Sequence, residues 1–210
     1  MDYMNVFDKL FEQHPCLEPC KESILQAFNI LKSSYDNNGM VLACGNGGSA
    51  ADSEHIIGEL MKGFKLKRPI PQDFKVKLAE FDNDGIGDCL QGALPAISLV
   101  GQSALISAMS NDIGWEYAFA QQVYGYGRKG DVLIAISTSG NAKNVLYACR
   151  VAKAIGMSVI GMSGETGGAF KSICDVCITV PYRETALIQE KHLPIYHTLC
   201  AALEVAFFDS

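Results

Sequence analysis

Short apolar runs alternate with longer stretches of mixed polarity along this chain of 210 residues. Each run is rich in aliphatic residues and is bounded by glycine, proline or polar residues, a pattern typical of strands buried on both faces. The pattern predicts five strands, at residues 40–44, 95–100, 131–137, 158–163 and 174–180.

The stretches between these runs carry apolar residues at helical spacing. We expect helices near residues 17–36, 49–63, 103–112, 115–127, 141–156 and 184–208. Strands that alternate with helices of this length form a parallel sheet with helices on both faces. The sequence therefore predicts the α/β class: a doubly wound, five-stranded parallel sheet flanked by helices, preceded by an N-terminal helical segment over residues 1–38.

Length and composition fit a single domain over residues 1–210. Hydrophobic residues make up 49% of the chain and charged residues 19%, as in a globular protein with one sizeable core. Residues 66–93 break the alternation of strands and helices, and we expect an insertion or loop there. Within it, Asp82 and Asp84 loosely resemble a calcium-binding loop, but Gln91 stands where that motif needs glutamate, so we expect an acidic surface turn.

Charge and cysteine content restrict the partners and the compartment. A net charge of −6 gives the chain no overall basic surface for nucleic acid or anionic lipid, and we expect the lysines of residues 62–68 in a solvated loop. The first residues lack the features of a signal peptide, and no apolar run reaches the length of a bilayer. Eight cysteines are too few for a disulfide scaffold. These features predict a cytoplasmic protein with reduced thiols.

A glycine-rich turn, "GNGGS" at residues 45–49, joins the first predicted strand to the helix after it. Glycine lets the backbone approach an anion closely, and a helix amino terminus presents free N–H groups. We expect phosphate there, with the hydroxyl of Ser49 adding a donor, although such turns also occur as plain connections. A dinucleotide fingerprint is the alternative, but it needs an acidic residue about 20 residues later, where this chain has "MKGFKLKRPIP".

A second polar loop, "STSGN" at residues 137–141, follows the third predicted strand. Three consecutive hydroxyl groups before a glycine suit a phosphate. Because the carboxyl ends of parallel strands meet at one edge, where doubly wound folds bind their ligands, both loops are expected at that edge. Together they predict a phosphorylated small molecule as the ligand.

Histidines and carboxylates supply the candidate chemistry. His55 and Glu59 lie four residues apart on one helix and share a face, although a surface ion pair is the alternative interpretation. Gln189 and His197 lie eight residues apart in the last helix and can face the same cleft. His192 projects elsewhere on that helix, and we expect it at the surface or at an interface.

Five motifs in order along the chain, "GNGGSAAD", "HIIGEL", "SND", "GDVLIAISTSGN" and "IQEKHLPIYH", resemble those of the sugar-isomerase (SIS) fold. Within that fold the chain resembles the phosphoheptose isomerases, over nearly its whole length outside residues 66–93. The resemblance implies an aldose–ketose isomerase that converts sedoheptulose 7-phosphate to D-glycero-D-manno-heptose 7-phosphate through an enediol. It also implies a homotetramer whose active sites draw residues from neighbouring subunits.

The resemblance further implies roles for particular residues. Glu59 and His197 correspond to the catalytic acid–base pair. Where members carry zinc, the ligands correspond to His55, Glu59, Gln189 and His197, and all four are present. The substrate contacts correspond to Asn46, Gly47, Gly48, Asn111, Asp112, Ser137, Thr138 and Ser139, to which we add Ser49 from the glycine turn and Gln189 from the cleft.

Two features depart from the family pattern. Ala142 replaces the hydroxyl residue that usually follows "STSGN", and the insertion at residues 66–93 is longer than usual. Both bear on which sugar is bound, so an isomerase of another phosphosugar is an alternative. A second alternative is a non-catalytic SIS regulator of the kind that controls replication initiation. Those proteins share the two loops but lack the acid–base pair, so Glu59 and His197 favour an enzyme.

Overall fold

The protein folds around a five-stranded parallel sheet in a computed structural model that describes residues 2–209. The strands are Val41–Cys44 (β1), Ala96–Ser98 (β2), Val132–Ile136 (β3), Ser158–Ser163 (β4) and Val176–Thr179 (β5). Their order across the sheet is β2-β1-β3-β4-β5, and every neighbouring pair is parallel. The predicted fold class is confirmed.

Helices cover both faces of the sheet and also fill the insertion. The α-helices are Met4–Gln13 (α1), Lys21–Asp36 (α2), Gly48–Met61 (α3), Gln72–Leu78 (α4), Ile86–Cys89 (α5), Ser103–Asp112 (α6), Ala118–Tyr126 (α7), Lys143–Ile155 (α8), Phe170–Ile173 (α9) and Thr185–Phe208 (α10). Two 3₁₀ helices, Pro15–Cys20 and Trp115–Tyr117, precede α2 and α7. No helix within residues 2–209 has the length and apolarity needed to cross a membrane.

Alternate residues of each strand enter two hydrophobic cores, one on each face of the sheet. In β1, Val41 and Ala43 face the core formed with α1, α2, α3 and α10, whereas Leu42 and Cys44 face the core formed with α7 and α8. All four residues are completely buried. This double burial explains why the strands have continuous apolar sequences without polar alternation.

Two predicted helix boundaries were shifted by 3₁₀ turns. The helix expected from residue 17 begins at Lys21, because Pro19 lies in the preceding 3₁₀ helix. The segment expected as one helix over 115–127 divides into a 3₁₀ turn and α7. The last helix, by contrast, runs unbroken past Pro194.

The insertion at residues 66–93 contains α4 and α5, and its ends are joined by a β-bridge between Pro69 and Gln91. The carboxylate of Asp82 accepts backbone N–H groups from Asp84, at 2.9 Å, and Gly87, at 3.4 Å. The acidic stretch is therefore a surface turn that its own backbone stabilises, as predicted.

The expectation of a surface position for His192 was wrong. The side chain is fully buried, and Nε2 lies 3.4 Å from the carbonyl oxygen of Ser163. Burial lowers the pKa of the His192 imidazole to about 4, so the ring is neutral near pH 7. Helical spacing could not show this, because the end of β4 lies against the side chain that was assigned to the surface or to an interface.

The expectation of a solvated loop at residues 62–68 was wrong for Arg68. Its side chain is fully buried and forms an ion pair with the equally buried Glu204, with Nε donating to Oε1 at 2.7 Å. The guanidinium group also donates to the last carbonyl groups of α3, at Leu60 (2.8 Å) and Glu59 (3.1 Å). Arg68 thereby caps the C-terminal turn of α3, whose carbonyl groups lack partners within the helix.

The carboxylate of Glu204 completes this arrangement from α10. It accepts backbone N–H groups from Phe64 (2.8 Å), Lys65 (2.7 Å) and Leu66 (3.1 Å), in addition to Arg68. One buried carboxylate thus fixes the segment between α3 and the insertion and joins it to α10. Such a pair is stabilising only when all its polar atoms are satisfied, as they are here.

Substitution of Glu204 by glutamine tests the importance of this ion pair. The amide leaves Arg68 buried without a counter-charge, so we expect Glu204→Gln to lower the free energy of unfolding by about 3–5 kcal/mol, measured by urea denaturation. Glu165→Gln is the matched control, because Glu165 pairs with Arg183 at the surface, where ion pairs contribute little. Equal effects of the two substitutions would contradict this view.

Candidate active site

The glycine turn and the STS loop lie where the strand order reverses. β1 has β2 on one side and β3 on the other, so the chain winds in opposite directions from this point. The glycine turn follows the carboxyl end of β1, and the STS loop follows that of β3. Open α/β sheets bind their ligands at this switch point.

The glycine turn needs its glycines for conformation and for close approach. Gly47, which precedes the first residue of α3, has φ +57° and ψ −121°, a conformation that side chains disfavour. A Cβ on Gly48 would lie 2.5 Å from Nε2 of Gln189, so glycine there lets α10 approach the turn. The structure thus brings the predicted residue Gln189 to the glycine turn.

A reciprocal pair of hydrogen bonds joins the two loops. Nδ2 of Asn46 donates to Oδ1 of Asn144 at 2.9 Å, and Nδ2 of Asn144 donates to Oδ1 of Asn46 at 2.8 Å. Asn144 lies in the first turn of α8 and is 1% exposed. Sequence reasoning missed Asn144, because nothing local marks a residue whose partner lies 98 positions away.

The STS loop is held in shape by its own polar groups. Oγ of Ser137 accepts the backbone N–H of Ala142 at 3.4 Å, and Oγ of Ser139 accepts that of Asn141 at 3.2 Å. Gly140 has φ +67°, and a Cβ there would lie 2.0 Å from the carbonyl oxygen of Gly167. Because the loop is preorganised, a bound anion need not order it.

His55 and Glu59 of α3 meet His197 of α10 in the half of α3 that follows its glycine-rich start. Nε2 of His55 lies 3.2 Å from Oε1 of Glu59 and 3.5 Å from Nε2 of His197. The ring centroids of the two histidines are 4.9 Å apart with the rings nearly perpendicular, and Phe64 packs against His197 with its ring centroid at 5.3 Å. His197 lies 142 positions from His55 in the sequence and belongs to a different helix. The three side chains therefore form a cluster, and His55 and Glu59 are not an isolated surface ion pair.

Burial differs across the cluster and sets its electrostatics. The Glu59 side chain is only 11% exposed, whereas that of His55 is 43% exposed. Oε2 of Glu59 is buried and accepts no hydrogen bond from residues 2–209. Burial lowers the pKa of the His197 imidazole below its usual value, and the nearby His55 lowers it further. His197 is therefore neutral near pH 7 and able to accept a proton.

Asn111 and Asp112 are not brought to the cluster within one chain. They form the C-terminal end of α6, and both are exposed. Their side chains bond to each other, with Nδ2 of Asn111 donating to Oδ1 of Asp112 at 2.8 Å. Any contact of these two residues with a ligand must therefore be made at another part of the surface.

The donor atoms of the cluster suit zinc in kind. Imidazole nitrogen and carboxylate oxygen are common zinc ligands, and Nε2 of His55 faces both Oε1 of Glu59 and Nε2 of His197. Within residues 2–209, however, no group of three or more His, Cys, Asp or Glu side chains has the geometry of a metal site. The residues fit zinc by donor type, and binding requires the side chains to adjust.

Comparison with known proteins agrees with this arrangement. The model of the SIS domain family matches residues 2–83 and 84–164. The chain is 38% identical over 190 residues to the phosphoheptose isomerase of Rhodospirillum rubrum, covering 90% of this chain and 89% of that protein. It is 37% identical over 207 residues to the phosphoheptose isomerase of Nitratiruptor sp., covering 99% and 95%.

A solved structure extends the match to three dimensions. The structure of a phosphoheptose isomerase from Francisella tularensis superposes with a TM-score of 0.76 and 30% identity, covering 97% of this chain and 98% of that one. Fold, loops and family model together define a SIS-domain protein. The chain is 38% and 37% identical to these two relatives over 90% and 99% of its length. It therefore belongs to the phosphoheptose isomerase family and is a phosphosugar isomerase.

Alanine at Gly140 tests whether the STS loop depends on its close backbone contact. Gly140→Ala forces alanine into the left-handed conformation that Gly140 adopts, which costs about 1–2 kcal/mol. Its Cβ also clashes with the carbonyl oxygen of Gly167, which costs about 1–3 kcal/mol. Gly130→Ala is the matched control, because Gly130 also has positive φ (+93°) but nothing within 4 Å of its Cβ. We expect the first substitution to lower both the unfolding free energy and inorganic phosphate affinity, and the control to spare phosphate binding. Equal phosphate affinity in both variants would contradict this.

Proposed function

We propose that this protein interconverts sedoheptulose 7-phosphate and D-glycero-D-manno-heptose 7-phosphate. The observation that carries the proposal is the meeting of His55 and Glu59 with His197, on two helices that also reach the glycine turn: α3 begins there, and α10 brings Gln189 to it. A binding regulator has no need of an acid–base pair beside its ligand. The named activity of the relatives, which match this chain over most of its length, supports the same substrate.

The phosphate group would lie between the amino-terminal ends of α3 and α8. Both helices begin at the switch point, and both direct the positive ends of their dipoles there. The hydroxyl groups of Ser49, Ser137, Thr138 and Ser139 add donors. The Asn46–Asn144 bond fixes the spacing of the two loops, so the anion meets a preformed site.

Glu59 would carry the proton between the two carbons. Its unpartnered Oε2 takes a proton from C1 of the ketose and delivers it to C2, so that the C–H bond at C1 breaks and one at C2 forms. His197, held neutral by burial, accepts the O1 proton and returns it to O2. One proton moves from C1 to C2 and one from O1 to O2, so the reaction needs no other reactant.

We also propose that His55, Glu59, Gln189 and His197 bind zinc in this protein. The convergence of Nε2 of His55 with Oε1 of Glu59 and Nε2 of His197 supports the proposal. Zinc would polarise the oxygen atoms of the substrate. A metal on Glu59 and His197 would compete with their acid–base roles, so a chelator-treated sample belongs in the activity assay.

We infer that the protein works as a homotetramer with shared active sites. Asn111 and Asp112 lie outside the cluster of their own chain, next to the exposed apolar side chains of Ile113 and Trp115, which are 65% and 53% exposed. A neighbouring subunit would bring the two polar residues to a substrate. The eight unpaired cysteines suit a reducing, cytoplasmic location.

Separate substitutions of the acid–base pair test the function. We expect Glu59→Gln and His197→Asn each to lower kcat for sedoheptulose 7-phosphate by about 10²–10⁴-fold, measured by NMR of the sugar mixture. Glu54→Gln is the matched control, because Glu54 is exposed on the same helix, and it should leave kcat unchanged.

Two outcomes would overturn the proposal. Full activity of either substituted protein would show that the substituted residue takes no part in the proton transfer. A folded wild type that binds the phosphosugar without turning it over would exclude this substrate. Turnover of a different phosphosugar would then point to Ala142, which caps α8 without a side-chain hydrogen bond, as the residue that changed the preference.

A further inference from the structure

The insertion at residues 66–93 exposes large apolar side chains that the core of the chain does not use. No residue of α4 is buried, and Phe81, just after that helix, is 85% exposed. Four more apolar side chains within residues 74–90 are 44–60% exposed, namely those of Phe74, Val76, Ile86 and Leu90. Soluble monomers seldom group exposed apolar residues in this way, and such groups mark surfaces that bind a partner.

A cavity of about 350 Å³ adjoins Phe81 on the same segment. Val76 and Ala79 line it from the side of α4, and Gly85 and Gly87 line it from the following turn and α5. Phe81 lies between two lining residues in the sequence but does not itself contribute to the lining. The insertion therefore presents a projecting aromatic ring next to a cavity with a partly apolar wall.

Backbone and side-chain bonds hold these two features in place. The backbone N–H of Gly92 donates to the carbonyl oxygen of Arg68 at 2.6 Å, which ties the ends of the insertion to the residue whose side chain is buried. An ion pair between Lys75 and Asp88, both of which line the cavity, joins α4 to α5. A surface that is ordered before binding loses less conformational entropy when a partner docks on it.

The charges of the insertion are divided between its two halves. Residues 66–78 contain three lysines and one carboxylate beside the buried Arg68, whereas residues 79–93 contain four carboxylates and neither lysine nor arginine. A partner of one charge sign would match only half of this surface. A second copy related by twofold symmetry would match both halves, because such an interface places the same surface of each copy against the other.

We propose that the insertion forms a contact between two copies of this chain, in which Phe81 of each copy enters the cavity between α4 and α5 of the other. An aromatic side chain anchored in a pocket is a typical source of binding energy at an interface. The basic half of each insertion then faces the acidic half of its partner. The contact is separate from the surface near Trp115 that supports the inferred homotetramer, and it does not depend on the isomerase reaction.

Two substitutions remove the two parts of this contact separately. Phe81→Ser deletes the projecting ring, and Ala79→Trp fills the cavity, so neither variant can form the contact with itself. Loss of one anchoring aromatic side chain weakens an interface by about 30-fold. We therefore expect both variants to dissociate at protein concentrations at which the wild type remains assembled, measured by sedimentation velocity over a dilution series that reaches dissociation of the wild type.

Mixing the two variants provides the sharper measurement. Phe81 of the Ala79→Trp protein can still enter the intact cavity of the Phe81→Ser protein, so one of the two insertions is restored. We expect the mixture to associate more tightly than either variant alone. Phe81→Leu is the matched control, because it keeps an apolar side chain at the same position and should retain most of the association. Both substituted positions are exposed, so urea unfolding of the dissociated variants should match the wild type.

The outcomes separate this contact from the inferred homotetramer and from the proposed activity. Association of both Phe81→Ser and Ala79→Trp equal to that of the wild type overturns the contact, even if Trp115→Ser disrupts assembly at the other surface. Weakening of both variants without recovery in the mixture overturns the reciprocal insertion of Phe81. Failure of the wild type to isomerise the sugar counts against the proposed function alone, because sedimentation needs no turnover.

Discussion

The buried carboxylate of Glu204 is the interaction on which the geometry of the site depends. It binds Arg68 and three consecutive backbone N–H groups after α3, and Arg68 in turn closes the end of that helix at Glu59 and Leu60. α3 carries Glu59, and α10 carries both Glu204 and His197. The two side chains that meet in the acid–base cluster thus belong to helices joined by one desolvated ion pair. Removing either charge would leave the other buried and uncompensated.

The rest of the site follows from the topology of the sheet. Reversal of the strand order between β1 and β3 opens a crevice at their carboxyl ends, and the two polar loops lie there because each follows one of these strands. Two glycines allow close packing around this crevice. Gly48 lets Gln189 approach the glycine turn, and Gly140 lets the STS loop pack against Gly167. His197, the histidine of the acid–base cluster that comes from α10, is held uncharged by burial.

Much of this architecture could be predicted from the sequence, because the relevant signals are local. Continuous apolar runs predicted the strands, and glycines and hydroxyls at the strand ends predicted the loops. The errors occurred where distant residues decide the outcome. Arg68 was placed in a solvated loop because its partner Glu204 lies 136 positions away. His192 was assigned to the surface or to an interface because its partner Ser163 lies 29 positions away, and Tyr196 drew no notice because its contact with His55 spans 141 positions.

The proton that moves from C1 to C2 offers the most direct measurement. Sedoheptulose 7-phosphate with deuterium at C1 would be converted in ordinary water, and the label at C2 of the aldose measured by NMR. Because Glu59 contacts His55, whose side chain is 43% exposed, the abstracted deuteron can exchange with solvent. We predict substantial loss of the label from the product. Label that appears at C2 at the wild-type rate in Glu59→Gln, which has no carboxylate to carry the proton, would contradict the acid–base role of Glu59.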